Sequence, residues 1–296
     1  MANNKSLRRL AVRCLLVLGA VCLPWVAQAK PDPAALRERH MALGEQLQHN
    51  AFGRPLVLES SDLSNRLSGD IYATVDYPLS QVSAGLNDPE HWCEVVSLHI
   101  NTKYCRAASS NGAAVVRVRV GKKTARDAED ATPVDLAYRV ATATPDFLDV
   151  LLNARDGPMG TSDYRIELEA VALPNARTFL HLTYSYTYGL AGKLAMKTYL
   201  ATIGRDKVGF TTTDTGRGDQ PEYVGGMRGL VERNAMRYYL AINAYLESPS
   251  PAPAQFERRL QSWFNATEQY PRQLHEVDRA EYLSMKREQN QRRQSE

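Results

Sequence analysis

Between residues 102 and 188 the chain strings together six apolar-patterned segments, and this run constrains the fold more than any other feature. The segments are 102–107, 113–120, 134–141, 147–154, 164–173 and 177–188. Turn chemistry separates most of them: Ser110-Asn111-Gly112, Asp156-Gly157-Pro158 and Pro174-Asn175 are residue sets that reverse a chain. Connections this short between consecutive strands require antiparallel pairing, since a parallel pair needs a crossover of a dozen residues or more. The alternation also assigns faces. Ile166, Leu168 and Ala170 oppose Arg165, Glu167 and Glu169, while Leu180, Leu182, Tyr184, Tyr186 and Tyr188 share one side of the last segment.

A seventh strand precedes the run. From Asp70 to Asp76, Ile71, Ala73 and Val75 fall on one face. Pro78 then opens a short helix with Val82 and Leu86 one turn apart. Asn87-Asp88-Pro89 ends it and starts another, which closes on Trp92-Cys93 and Val95-Val96. After the last strand the period changes. Residues 190–202 read as a helix and 207–213 as a short extended piece. Residues 225–246 form the longest helix, with Met227, Val231, Ala235, Tyr238, Ile242 and Tyr245 at spacings of three and four. Beyond the proline-rich stretch 248–253, helices are expected at 256–267 and 280–292.

An opening strand running into Tyr77-Pro78, a short helix and an Asp88-Pro89-x-x-Trp92 corner resembles the START and polyketide-cyclase-like (SRPBCC) superfamily over residues 69–246. A family of exported bacterial proteins with this fold is similar too, and supplies no activity. The resemblance implies an α+β helix-grip fold: about seven antiparallel strands wrapped around a long C-terminal helix. The 190–213 insertion and everything after Pro249 depart from that pattern. The expected organisation is a leader at 1–29, a helical or irregular segment at 30–68, the helix-grip domain at 69–246 and a helical extension at 247–296. Residues 33–48 read as one short amphipathic helix.

The leader has three parts. Lys5, Arg8, Arg9 and Arg13 are basic, and 15–23 is apolar but shorter than the roughly 20 residues a membrane span takes. Ala27-Gln28-Ala29 supplies small residues at a cleavage point after Ala29. Export to the periplasm is therefore expected. Of 36 basic and 33 acidic residues, four basic and no acidic ones lie in the leader. The mature chain is left with 32 against 33, which offers nucleic acid no overall attraction. No later stretch has membrane-spanning length. Cys14 and Cys22 leave with the leader, and Cys93 and Cys105 remain. In an oxidising compartment such a pair reads most simply as a disulfide, with two free thiols as the alternative.

No nucleophile elbow, zinc-protease motif, phosphate loop or dinucleotide fingerprint occurs, and the histidines form no metal-ligand spacing. No cofactor or metal is expected. Gly225-Gly226-Met227-Arg228-Gly229 reads as a flexible helix entry, with a phosphate-binding helix N-terminus as the alternative, and Arg217-Gly218-Asp219 and the sequon at Asn265 read as chance. His181 lies on the strand face opposite the tyrosines, beside Phe179, Thr183 and Ser185. It is the one candidate base, set against a hydrogen-bonded structural histidine. Tyr184, Tyr186, Asn234 and Tyr238 are candidate ligand contacts, set against simple packing of sheet on helix. Glu232 and Arg228 are spaced for a surface ion pair, and the other arginines of that helix fit a solvated face. The basic, Gln-rich 282–293 stretch reads as an exposed helix, with an envelope-protein or lipid contact as the alternative.

Three readings follow. The first is a periplasmic binding or carrier protein for a hydrophobic or amphipathic small molecule. The second is an enzyme of hydrolase, cyclase or isomerase type using the same pocket. The third is an envelope scaffold acting through the C-terminal helices.

Overall fold

Period-two burial marks several of the strands, 134–138 and 166–170 among them, and aliphatic side chains also line up across the strands. In the computed structural model Ile71, Leu182, Leu168, Val150 and Val140 stand side by side on five adjacent strands, a ladder of aliphatic cross-strand pairs. The structure describes residues 32–122, 131–202, 204–213, 221–249 and 252–295. All of them belong to one compact unit, Pro31–Glu296. The leader, Cys14, Cys22 and Arg217-Gly218-Asp219 lie outside the described residues.

The sheet has eight strands: β1 (Leu56–Leu63), β2 (Arg66–Val75), β3 (Thr102–Ser110), β4 (Ala113–Val120), β5 (Thr132–Ala143), β6 (Phe147–Asp156), β7 (Thr161–Leu173) and β8 (Arg177–Tyr188). Their order is β1-β2-β8-β7-β6-β5-β4-β3. After β2, helices α3 (Leu79–Leu86) and α4 (Pro89–Leu98) carry the chain to the far edge. It then meanders back until β8 pairs antiparallel with β2. Asp88 caps α4 by accepting from the Glu90 amide at 2.8 Å, which satisfies one of the helix's orphan donors. A disulfide between Cys93 and Cys105 ties α4 to β3.

β1 is one strand more than the about seven expected, and it lies within the segment expected to be helical or irregular at 30–68. It pairs with β2 through a tight turn at Ser64 and Asn65, both at positive φ. That geometry matches the twist of a hairpin. The expected 33–48 helix is two, α1 (Pro33–Ala42) and α2 (Gly44–Gln48), broken at Leu43. They cover the outer face of the sheet, where Leu36, Leu43 and Leu47 bury against Val57, Phe147 and Phe179.

Following β8 come α5 (Leu190–Ala201), the two-residue pair β9 (Thr212–Thr213) and β10 (Glu222–Tyr223), and α6 (Gly226–Glu247). The extended piece expected at 207–213 is strand only at its end. α6 lies across the inner face. A Cβ on Gly69 of β2 would sit 3.0 Å from the Ala235 Cβ and 3.2 Å from the Val231 carbonyl oxygen, so the bare glycine sets how closely helix meets sheet. An antiparallel sheet wrapped around one long helix is a helix grip, as the resemblance implied.

The extension consists of α7 (Pro253–Glu268), α8 (Pro271–Leu274) and α9 (Arg279–Ser295). It covers the side of α6 that the sheet leaves open. The Trp263 indole donates to the Arg237 carbonyl at 3.1 Å, and the Tyr282 hydroxyl donates to the Leu98 carbonyl at 2.8 Å. α9 is therefore not the exposed helix its composition suggests, since Tyr282, Met285 and Lys286 are buried. Its inward face is bound to the rest of the chain, while Arg287, Gln291, Arg292 and Gln294 stay exposed on the other side. No helix among the described residues is long and apolar enough to cross a membrane.

Candidate binding site

The inner face of β8 changes character along its length. Leu180 and Leu182 are aliphatic; then Tyr184, Tyr186 and Tyr188 follow at alternate positions, all buried. α6 brings Asn234 and Tyr238, one turn apart, to the same place. Tyr238 packs on Tyr184 with ring centroids 5.2 Å apart, and Tyr184 on Tyr186 at 5.7 Å. Tyr164 of β7, which the sequence patterning missed, stacks on Tyr186 at 5.1 Å. His99, at the end of α4, stacks on the other side of Tyr238 at 4.9 Å. All four expected contacts thus converge. Tyr188 does not join them, because its hydroxyl donates to Asp62 on β1 at 2.8 Å.

Tyr184 and Tyr186 are buried, whereas Tyr164, Tyr238 and Asn234 are half-buried. Burial raises all four phenols above their ordinary range, so each keeps its proton at neutral pH. Asn234 reaches the Tyr184 hydroxyl, and Thr161 meets the Tyr164 hydroxyl at 2.8 Å. The rings themselves occupy the space between sheet and helix. Two open clefts lie elsewhere, one of about 380 Å³, mouth included, between β3, α4 and α9, and another of about 230 Å³ under α7.

His181 is on the opposite, outer face of the sheet. Its Nε2 lies 3.0 Å from Asp70 and its Nδ1 3.0 Å from Glu169, and Tyr72 stacks over the ring at 4.3 Å. Burial alone would lower its pKa. The hydrogen bonds and charges of Asp70 and Glu169 outweigh that and hold it at about 9. With both nitrogens protonated and engaged, the ring has no lone pair for base catalysis.

The charged residues of α6 are not a solvated face. Glu232, Arg233 and Arg237 are fully buried. Glu232 accepts from the amides of Phe210 and Thr211 and from Ser60, which docks the 190–213 insertion on the grip. Arg237 pairs with Glu276 at 2.6 Å and so holds the extension. Among the described residues no group of three or more His, Cys, Asp or Glu side chains is placed to hold a metal.

No family model matches the chain, and no curated protein matches it. Solved structures similar to it include an aromatase/cyclase from Streptomyces sp. R1128. That structure is 18% identical over 47% of this chain and 86% of that one, with a TM-score of 0.34. Ara h 8.0201 is 12% identical over 62% of this chain and 99% of its own, at 0.36. Human StAR-related lipid transfer protein 5 is 10% identical over 59% and 91%, at 0.31.

Proposed function

We propose that this helix-grip chain is a periplasmic binding or carrier protein for a hydrophobic or amphipathic small molecule, held between the sheet and α6 beneath α5. The observation that carries this reading is the cluster of Tyr164, Tyr184, Tyr186 and Tyr238 rings, with Asn234 beside them, packed between the sheet and α6. Phenylalanine would pack the same space, whereas a phenol combines an apolar body with a polar tip. A ligand with an apolar body and one or two polar atoms would meet both features together. Uptake requires the half-buried Tyr164 and Tyr238 to rotate aside.

The rim of the grip supports the same reading. Leu63, Met159, Leu190 and Leu194 are exposed large apolar side chains. The Asn65 carbonyl accepts from Tyr188 and Gly160 abuts Gly192, which brings the turns beside Leu63 and Met159 and the start of α5 towards one end of the grip. Apolar rims of this kind mark contact surfaces more often than ordinary monomer surface does. Export rests on the leader, and the Cys93–Cys105 bridge supports an oxidising compartment. Sequencing the N-terminus of protein taken from the periplasm should therefore read from Lys30.

Native mass spectrometry of that protein should show a retained lipid-like species. A fluorescent apolar probe such as anilinonaphthalene sulfonate should bind with an affinity at least fivefold weaker in Tyr238→Phe, while the empty variant melts no lower than wild type. Absence of any retained species, together with probe binding that Tyr238→Phe leaves unchanged, would mean the tyrosines are core and nothing more.

A further inference from the structure

The geometry points to a binding site for a small oxyanion, a carboxylate or phosphate group, in the cleft between β3, α4 and α9. This site is separate from the tyrosine grip and does not depend on the reading given for it. Its floor is one face of α9: Lys286, Gln289, Asn290 and Arg293 all line the cleft, at the three-, four- and seven-residue spacings that share a helix side. Lys286 is 2% exposed. Its ammonium donates to the carbonyls of His99 and Thr102, at 2.8 and 2.7 Å, which leaves one N–H and the whole charge without an acidic partner among the described residues. Gln289 is 9% exposed, and its Nε2 has no hydrogen-bond partner. Both side chains line the same cleft, and both are donors.

The other walls agree in sign. Lys103 of β3 is buried and donates to the Ile100 carbonyl at 3.0 Å. Arg293 reaches the cleft while donating to Asn290 at 3.0 Å. The single acid of the lining, Glu94 of α4, is paired at 2.6 Å with Arg259, itself 1% exposed. Among the described residues, Lys286 and Arg293 face one paired acid in a narrow, low-dielectric cleft, which favours a positive potential there. Burial lowers the pKa of Lys103 to about 8, and it lowers that of Lys286 well below the ordinary lysine value, with the Lys103 charge adding to it. Water would satisfy the Gln289 amide but not the charge, whereas an oxyanion satisfies both.

The test uses the mature chain, with inorganic phosphate and acetate titrated separately at fixed ionic strength against a chloride reference. Thermal shift and calorimetry provide the readouts. Saturable stabilisation by at least one oxyanion above chloride is expected, with affinity reduced at least fivefold in both Gln289→Leu and Arg293→Gln. Arg293 is half-buried on the last turn of α9 and guards against misreading a folding defect at Gln289. Response to phosphate alone assigns a phosphoryl ligand, to acetate alone a carboxylate, and to both an unselective oxyanion site. Chloride matching both anions, or wild-type affinity retained in both variants, overturns the proposal.

Discussion

His181 is held as a cation by two carboxylates that come from different strands. Its folded pKa, about 9, lies above the 6.5 of a free imidazole. The resulting stabilisation is fully present below pH 6.5 and is lost as pH rises through 9. With the side chain 17% exposed, the contribution is on the order of 2 kcal/mol. Asp149, close by on β6, is the opposite case. Burial, with the charges of Glu167 and Glu169 added, raises its pKa to about 6, so ionising it in the folded state costs stability as pH climbs from 4 to 6. The two effects carry the same sign over adjacent windows. Urea unfolding should accordingly show stability falling from pH 6.5 to 9 in wild type. His181→Gln should flatten that slope, being less stable at pH 6 and equal by pH 10. Asp149→Asn should gain about 2 kcal/mol at pH 7 and nothing below pH 4. A wild-type profile level from 6.5 to 9 would refute the charged imidazole.

At the scale of elements, the contact that sets the grip is Gly69 against α6. A methyl group there meets the Ala235 Cβ at 3.0 Å and a helix carbonyl at 3.2 Å, and a backbone oxygen inside a helix cannot step aside. Gly69→Ala should lower stability by about 1–3 kcal/mol and lower Tm accordingly. Unchanged melting would mean that helix and sheet are looser than drawn. Elements with this kind of one-sided burial were legible in the sequence. β4 and β8 have their expected bounds to the residue, because period-two patterning survives wherever one face is buried. β1 escaped, since Ser60, Ser61 and Asp62 make its second half polar at the sheet edge. α9 and the middle of α6 were misread for a different reason. Their buried positions include Lys286, Glu232, Arg233 and Arg237, and hydropathy patterns cannot see burial carried by charged side chains with specific partners. The tyrosine cluster was legible from strand alternation and one helical turn. Tyr164 was hidden by the register shift between Ser162 and Arg165. The partners of His181, 111 and 12 residues away, emerge only from pairing.

For the whole molecule the question is whether the grip stands without residues 250–296. The sequence reading expects a boundary near 246, yet the contacts across that point are those of a core rather than of docked domains. Trp263 and Tyr282 stack at 5.0 Å and hydrogen-bond to backbone carbonyls of α6 and α4. Arg259 is the partner of Glu94, and Glu276 of Arg237. Lys286 closes the end of α4 and the start of β3. Removing the extension opens α6 along the side away from the sheet. Arg237 and Glu94 then lose their ion-pair partners, and stranding one member of a buried pair costs about 3–5 kcal/mol. Typical domains hold only about 5–15 kcal/mol in total. A chain ending at Pro249 should therefore keep far-ultraviolet helix and strand signal but lose near-ultraviolet dichroism and bind anilinonaphthalene sulfonate nonspecifically. The intact mature chain should unfold in urea as one transition. If the truncated chain instead unfolds cooperatively with native near-ultraviolet dichroism, the extension is an appendage and the grip is the folding unit.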